Sequence, residues 1–286
     1  MQTRVAPFET VVKKTLGCKR DFRGGRGKRS VILPYNVAMA RAEPLAAWMR
    51  QRLVTSGAQG FVVGLSGGVD SAVVARLAHL AAPQRVVAVL LPCHTDPQDE
   101  EDAAFVAKHF ALTPVQIELS DAYDALVPAV QSAVGDERAR VPLANIKARL
   151  RMTALYFVAN QRNCLVAGAG NRSEIAVGYF TKYGDGGVDL LPLGHLLKSE
   201  VRELARELGV PPAIVNKAPS AGLWIGQRDE EEMGFTYDDL ERYLEEGPQG
   251  VSPALAMKIE RLIRLSEHKR TLPPMPDHEE INRRDR

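Results

Sequence analysis

Residues 64–71 read Gly64-Leu65-Ser66-Gly67-Gly68-Val69-Asp70-Ser71, after an apolar run, Phe61-Val62-Val63, and before a helical pattern, Ala72–Ala78. A buried strand, a tight glycine turn and a helix N-terminus together make an anion cradle. Adjacent glycines let the backbone reverse, and free amides and the helix dipole point at a phosphate. The loop lacks the Gly-Lys-Ser/Thr ending of the kinase-type phosphate loop and carries Asp70 instead. A carboxylate among phosphates is repelled unless a cation lies between them, so Asp70 implies Mg²⁺. The alternative is a glycine-rich strand-to-helix turn that holds no ligand.

The elements that must position this loop follow from the apolar pattern. Strands are expected near 60–65, at 85–91 up to Pro92, at 115–118 and at 164–167; helices are expected near 71–82, 98–110, 121–133 and 143–162. Short apolar runs alternating with amphipathic helices predict an α/β fold: a doubly wound, mostly parallel sheet with helices on both faces. Ligands of such sheets bind beyond the carboxyl ends of the strands, so the loops opened by Gly64, Pro92 and Gly168 should share one face. Beyond residue 178 the chain is loop-rich. A helix is expected at 198–208, closed by Gly209 and Pro211-Pro212, and residues 217–235 read as irregular. Two C-terminal helices are expected, one from Thr236 with Asp239 as a capping partner, the other from Ser252-Pro253.

The 286 residues are enough for one large domain or two small ones, and 45% hydrophobic with 25% charged residues is an ordinary globular balance. No apolar run approaches the roughly 20 residues that span a bilayer, and no secretory signal opens the chain. Three cysteines, Cys18, Cys93 and Cys164, show no paired spacing, which argues against a disulfide framework or zinc site and for the cytoplasm. Cys93 and Cys164 read as small buried hydrophobes. The net charge of +2 hides an asymmetry: residues 1–30 carry nine Lys or Arg against two acids, +7, leaving −5 for the remainder. Such an arm could tether nucleic acid, or be a leader or an extension from a misassigned start; the latter readings are preferred and nucleic acid is not expected. The domain organisation expected is a basic extension over 1–38, one domain over 39–272, whose first helical stretch is 40–49, and a polar tail over 273–286.

Ser66-Gly67-Gly68-Val69-Asp70-Ser71 resembles the signature of the ATP pyrophosphatases, or PP-loop enzymes, which cut ATP between the α and β phosphates. Alone it leaves several acceptor chemistries open. Later segments are similar to the NAD synthetases within that superfamily: Asn145–Met152, Gly168–Glu174, Gly178–Asp189, Lys217–Trp224 and Glu267–Arg270. The resemblance spans roughly 39–272 and implies an adenine nucleotide alpha hydrolase-like sheet with added C-terminal helices. It also implies a reaction. The nicotinate carboxylate of deamido-NAD attacks the ATP α-phosphorus, giving an acyl-adenylate and pyrophosphate, and ammonia then displaces AMP to leave the carboxamide of NAD.

Carried over by motif, ATP would contact Gly64, Leu65, Ser66, Gly67, Gly68, Val69, Asp70 and Ser71, together with Ala169, Lys198 and Ser220. Asp70 and Glu174 would hold Mg²⁺. Deamido-NAD would meet Arg149, Lys182, Asp189, His268 and Lys269. Asp185 would orient ammonia or accept its proton, so Asp70, Asp185 and Lys198 are the catalytic candidates. Outside these motifs the same residues would read as solvated lysines, turn-forming aspartates and helix-end charges. Four positions depart from common family choices: Val69 for Gln, Ala169 for Thr, Ser220 for Thr, and Leu90 for Arg. Only 59 residues precede the first strand, too few for an amidase domain, so free ammonia is the expected donor unless a separate glutaminase delivers it. A homodimer is implied by the resemblance alone. The rivals are a sulfur-transfer or tRNA-modifying pyrophosphatase, disfavoured by the unpaired cysteines, and a nucleotide sensor without turnover, disfavoured by the presence of Asp70 and Glu174.

Overall fold

The computed structural model describes residues 41–135 and 140–276. The extension expected over 1–38, and residues 277–286 of the expected tail, lie outside the described residues. Four parallel strands, β1 (Gly60–Gly64), β2 (Val86–Leu90), β3 (Val115–Gln116) and β4 (Cys164–Val166), lie in the order β3-β2-β1-β4. Val62 stands between Val87 and Val166, and a parallel bridge from Ala167 to Leu190 continues the sheet beyond β4.

The strands read as unbroken apolar runs because both faces are covered. On one side Phe61, Val63 and Ala88 pack under α1 (Ala42–Ser56), α2 (Val69–Ala81), α3 (Pro97–His109) and a later helix, Lys198–Glu207. On the other, Val62, Val89 and Val166 pack against α5 (Arg140–Arg162), which lies behind α4 (Ser120–Val134). The chain leaves β1 through α2 on one face and reaches β4 through α5 on the other. The direction of winding therefore reverses between β1 and β4, and the Gly64–Gly68 loop emerges at that reversal, where such sheets bind ligands.

α1 runs seven residues past the stretch expected from sequence, because buried Ala42, Ala46, Met49 and Leu53 keep one face apolar until Gly57 turns left-handed at φ 71°. After β4 come α6 (Arg172–Val177), α7 (Lys198–Glu207), α8 (Pro212–Val215), α9 (Asp229–Met233), α10 (Tyr237–Glu246) and α11 (Pro253–Leu265). Thr236 and Ser252 cap α10 and α11 as expected, accepting from the N–H groups of Asp239 and Leu255. Three short helices, α6, α8 and α9, fall where none was expected. α8 starts from Pro211-Pro212, and α9 forms from Asp229-Glu230-Glu231-Glu232, acids that suit a helix N-terminus, before Gly234 ends it. A third apolar cluster of Val177, Phe235, Tyr237, Leu240 and Ile259 joins α6 to α10 and α11.

Candidate active site

The loop after β1 is shaped by its glycines. Gly67 has φ 78°, and a Cβ there would come within 2.5 Å of the Asp99 carbonyl oxygen, so a side chain at this position would push α3 away. Ser66 N–H donates to Ser71 Oγ at 3.3 Å, Gly68 N–H donates to Ser66 Oγ at 3.3 Å, and Ser71 Oγ–H donates to the Gly68 carbonyl at 2.9 Å. Two amides that the sequence suggested for phosphate are thus held by hydroxyls of the same loop. The amides of Gly67, Val69 and Asp70 have no partner among the described residues, as expected of a helix's first turn. The Val69 side chain is buried in the core, so only the backbone at this position is available to a ligand.

Asp70 sits in the first turn of α2 and Glu174 in that of α6, on separate loops at the same sheet edge. Lys198, 3% exposed at the start of α7, places Nζ 2.5 Å from Asp70 Oδ2 and 3.2 Å from Glu174 Oε1. Sequence reasoning gave Lys198 to phosphate; here its ammonium bridges the two carboxylates. Burial opposes the Lys198 charge, yet the carboxylates hold its proton above the usual lysine range. Burial pushes Glu174 up to about 7, against the pull of Lys198.

Three residues in this cluster escaped the sequence reading. Asn171, fully buried, caps α6 by accepting the Glu174 N–H at 3.0 Å and donates from Nδ2 to Asp70 Oδ1 at 3.0 Å. Tyr237 OH donates to Asp229 Oδ2 at 3.0 Å and lies 3.4 Å from Glu174 Oε1. Asp229 is 3% exposed, and burial raises its carboxyl above the ordinary range. Asn171 carried a signal, an Asn three residues before a Glu at a helix start. Tyr237 and Asp229 carried none.

Asp70, Glu174, Lys198 and Asp229 open onto one cavity of about 640 Å³, large enough for a nucleotide and a second ligand group. Gly64, Leu65, Ser66, Gly68, Asp70 and Ser71 form one wall; Glu174, Lys198, Ala169 and Ser220 adjoin it, and Asp185 and Lys269 lie on the same cavity. Asp185 is held by the Thr181 N–H, which donates to its Oδ1 at 2.9 Å. Its turn is compact because Gly184 lies against Ala148 and Gly186 against the Phe180 ring, leaving no room for a Cβ. Enclosure by the cavity walls raises the Asp185 carboxyl above the usual aspartate range, against the Thr181 hydrogen bond.

The other expected contacts do not line the cavity. Arg149 is exposed and donates to the Lys182 carbonyl at 3.3 Å, while Lys182 Nζ donates to the His268 carbonyl. Arg149 and Lys182 thus bring two cations to a rim that joins α5 to the turn after α11. Asp189 accepts from Val166 N–H at 2.7 Å and Tyr156 OH at 3.0 Å, so its carboxylate pins β4 to α5. Lys269 Nζ donates to the Gly178 and Phe180 carbonyls, each at 2.7 Å. Among the described residues no helix is long and apolar enough to cross a membrane.

The arrangement supplies an amide cradle, two carboxylates bridged by an ammonium, and a third carboxylate on the same cavity. Known proteins resemble this chain along most of its length. The profile of the NAD synthase family matches residues 41–273. The NH(3)-dependent NAD(+) synthetase of Carboxydothermus hydrogenoformans is 51% identical over 236 residues, covering 82% of this chain and 96% of that protein. A solved structure of NMN synthetase from Francisella tularensis is 40% identical, with a TM-score of 0.78, covering 84% and 98% of the two chains. The NH3-dependent NAD synthetase of Campylobacter jejuni is 29% identical, with a TM-score of 0.70, covering 84% and 99%.

Proposed function

We propose, because the chain belongs to the NAD synthase family, that it is an ammonia-dependent ligase converting deamido-NAD, ATP and ammonia into NAD, AMP and pyrophosphate. The observation that carries the reading is that the glycine loop, the Asp70–Lys198–Glu174 cluster and Asp185 share one cavity, so adenylation and amidation need no transfer between sites.

In the first step a carboxylate oxygen attacks the α-phosphorus and the bond to the β-bridging oxygen breaks, leaving its electron pair on pyrophosphate. The amides at the start of α2, above all that of Asp70, and the ammonium of Lys198 would meet that charge. The hydroxyl of Ser220 and the backbone beside Ala169 complete the nucleotide's surroundings. In the second step Asp185, with its raised proton affinity, orients ammonia and takes the proton released as the carbon–nitrogen bond forms and the bond from carbon to the AMP oxygen breaks, its electron pair leaving with AMP. Arg149 and Lys182 at the rim, and Lys269 on the cavity, offer cations to the dinucleotide diphosphate, with His268 beside Lys182.

The donor chemistry fits Mg²⁺. Asp70 and Glu174 are hard oxygen ligands from two elements, and each Asp70 oxygen accepts one hydrogen bond and keeps a lone pair. Among the described residues no three His, Cys, Asp or Glu side chains are placed to hold a metal, so the remaining ligands would be other oxygens, those of water and phosphate among them. Bound there, the ion would neutralise phosphate charge beside the leaving pyrophosphate.

A homodimer is part of the proposal. α4 buries none of its residues, and Leu126, Val130 and Val134, spaced four apart, stand exposed along one side of it. An apolar helix face of that kind fits a second copy of the chain. The cytoplasm is the proposed compartment, and a separate glutaminase is not required.

The likeness to the Francisella protein favours one second reading, amidation of the nicotinate mononucleotide. A single assay separates the two: purified protein with ATP, Mg²⁺ and either acceptor, supplied with ammonium or with glutamine. The proposal expects NAD, AMP and pyrophosphate from deamido-NAD and ammonium at the highest kcat/KM. A preference for the mononucleotide selects the second reading, and formation of ADP would sink both.

A further inference from the structure

Among the described residues, three side chains bring a positive charge to the cavity: Arg151, Lys198 and Lys269. Lys198 is bridged to two carboxylates, and Lys269 already belongs to the dinucleotide contacts proposed above. Arg151, on α5, has no part in that proposal. Its Nε donates to the Leu91 carbonyl and its Nη2 to Thr95 Oγ1, both at 3.1 Å. Both acceptors are uncharged. They fix the guanidinium without neutralising it, and they leave the other N–H groups of its fork without a partner among the described residues.

Its location is informative. Arg151 lines the cavity together with Asp99 and Asp185. The Asp99 carbonyl abuts Gly67 of the glycine loop, while Asp185 belongs to the turn proposed for amidation. Between a phosphate cradle and an ammonia site lies the place where a carboxylate must meet the α-phosphorus. Both reacting groups are anionic there, and a planar guanidinium can donate to oxygens of both at once. Burial lowers its proton affinity, but a guanidinium stays charged near neutrality.

We propose that Arg151 is a catalytic residue of the adenylation step, donating to the acceptor carboxylate and to an α-phosphate oxygen. The proposal rests on the function given above. As the carboxylate oxygen bonds to phosphorus and pyrophosphate departs with the electron pair of the broken bond, no proton is transferred. The charge gathering on the equatorial oxygens must therefore be met by fixed donors, and Arg151 is one of them.

The competing role is a pin that holds the end of β2 through Leu91 and Thr95. Two variants separate the roles: Arg151→Met removes the charge, and Thr95→Val removes part of the pin while keeping the guanidinium. The measurement is acceptor-dependent exchange of labelled pyrophosphate into ATP, which reads adenylation without amidation, beside the melting temperature. Arg151→Met should lower exchange about 10²–10³-fold in kcat, the range for losing one charge-stabilising donor. Thr95→Val should lose less than about tenfold. If Arg151→Met does not fold, Arg151→Lys, which keeps charge but not the fork, should still lose at least about tenfold. Thr95→Val matching Arg151→Met, or Arg151→Lys exchanging like the parent, overturns the proposal. Failure of the parent protein to exchange with any nicotinate acceptor would instead overturn the function on which it rests.

Discussion

Asn171 and Asp70, 101 residues apart in sequence, are joined by a 3.0 Å hydrogen bond from Asn171 Nδ2 to Asp70 Oδ1. The same amide side chain accepts the Glu174 N–H, and Glu174 Oε2 accepts the Asn171 N–H at 3.2 Å. One buried residue therefore sets the first turn of α6 against the first turn of α2, and with it the spacing of the two carboxylates proposed for Mg²⁺.

The two roles of Asn171 separate by substitution. Asn171→Ser keeps an N-cap but cannot reach Asp70, whereas Asn171→Ala loses both. Denaturant unfolding should show Asn171→Ala less stable than Asn171→Ser by about 1 kcal/mol, the worth of a cap. Affinity for Mn²⁺ in the presence of ATP, followed by calorimetry, should fall about tenfold or more in both variants alike. Parent-like affinity in Asn171→Ser would mean that the carboxylates need no tie.

Asp185 should divide the reaction. Asp185→Asn keeps size and can still meet the Thr181 N–H but cannot take a proton, so acceptor-dependent pyrophosphate release should stay within about tenfold of the parent. Amide formation should fall by about 10²–10⁴-fold, the usual scale for a general base. Because its proton affinity is raised, Asp185 is protonated at higher pH than an ordinary aspartate. At a fixed concentration of uncharged ammonia, amidation should therefore decline with falling pH before an ordinary carboxylate would titrate. Equal loss of both steps in Asp185→Asn would remove its role in amidation.

What the sequence disclosed and what it withheld divide by range. The glycine loop is legible because its demands are local: a backbone reversal at Gly67 and amides at a helix start need particular residues in a short run. The strands are legible because Phe61-Val62-Val63 and Val86–Leu90 are apolar on both faces. Arg149 and Arg151 show the limit. Two residues apart on a helix, they point to different faces, and one lies at the rim while the other lines the cavity. Periodicity places both on α5 but does not say which face meets the sheet. Asp229 is withheld for the same reason, since its value lies in Tyr237 and Glu174, and nothing near residue 229 announces either.

His79 supplies a pH dependence of stability remote from the cavity. Its Nδ1 is buried with no hydrogen-bond partner among the described residues, and burial, then the Arg76 charge, lowers its pKa below 6.5. The folded state thus keeps His79 neutral while the unfolded chain takes up a proton as pH falls through 6.5. Stability is full above that pH and lost below it, by at most about 1.4 kcal/mol per pH unit from this one group. His79→Leu should flatten that part of the curve in denaturant unfolding between pH 7.5 and 5 (about one unit above and one and a half below the ordinary histidine value). A slope unchanged from the parent would exclude His79 as the cause.

Lys217 ties the segment that carries Ser220 to the body of the protein. Its Nζ donates to Asp99 Oδ1 at 2.7 Å and to Asp102, acids one turn apart on α3, and Lys147 Nζ holds the Leu223 carbonyl at 2.9 Å further along. Between these two anchors Ser220 reaches the cavity, and past the second Ile225 stands 74% exposed. Because Lys217 is part exposed, solvent screens the pair and Lys217→Met should cost under about 1 kcal/mol of stability. Its larger effect should be on the nucleotide. With one anchor gone the segment must be ordered when ATP binds, and ordering several residues weakens apparent affinity without touching the bonds that change. The expected outcome is a KM for ATP raised about tenfold with kcat within about threefold. A large fall in melting temperature with KM unchanged would make Lys217 a structural strut alone.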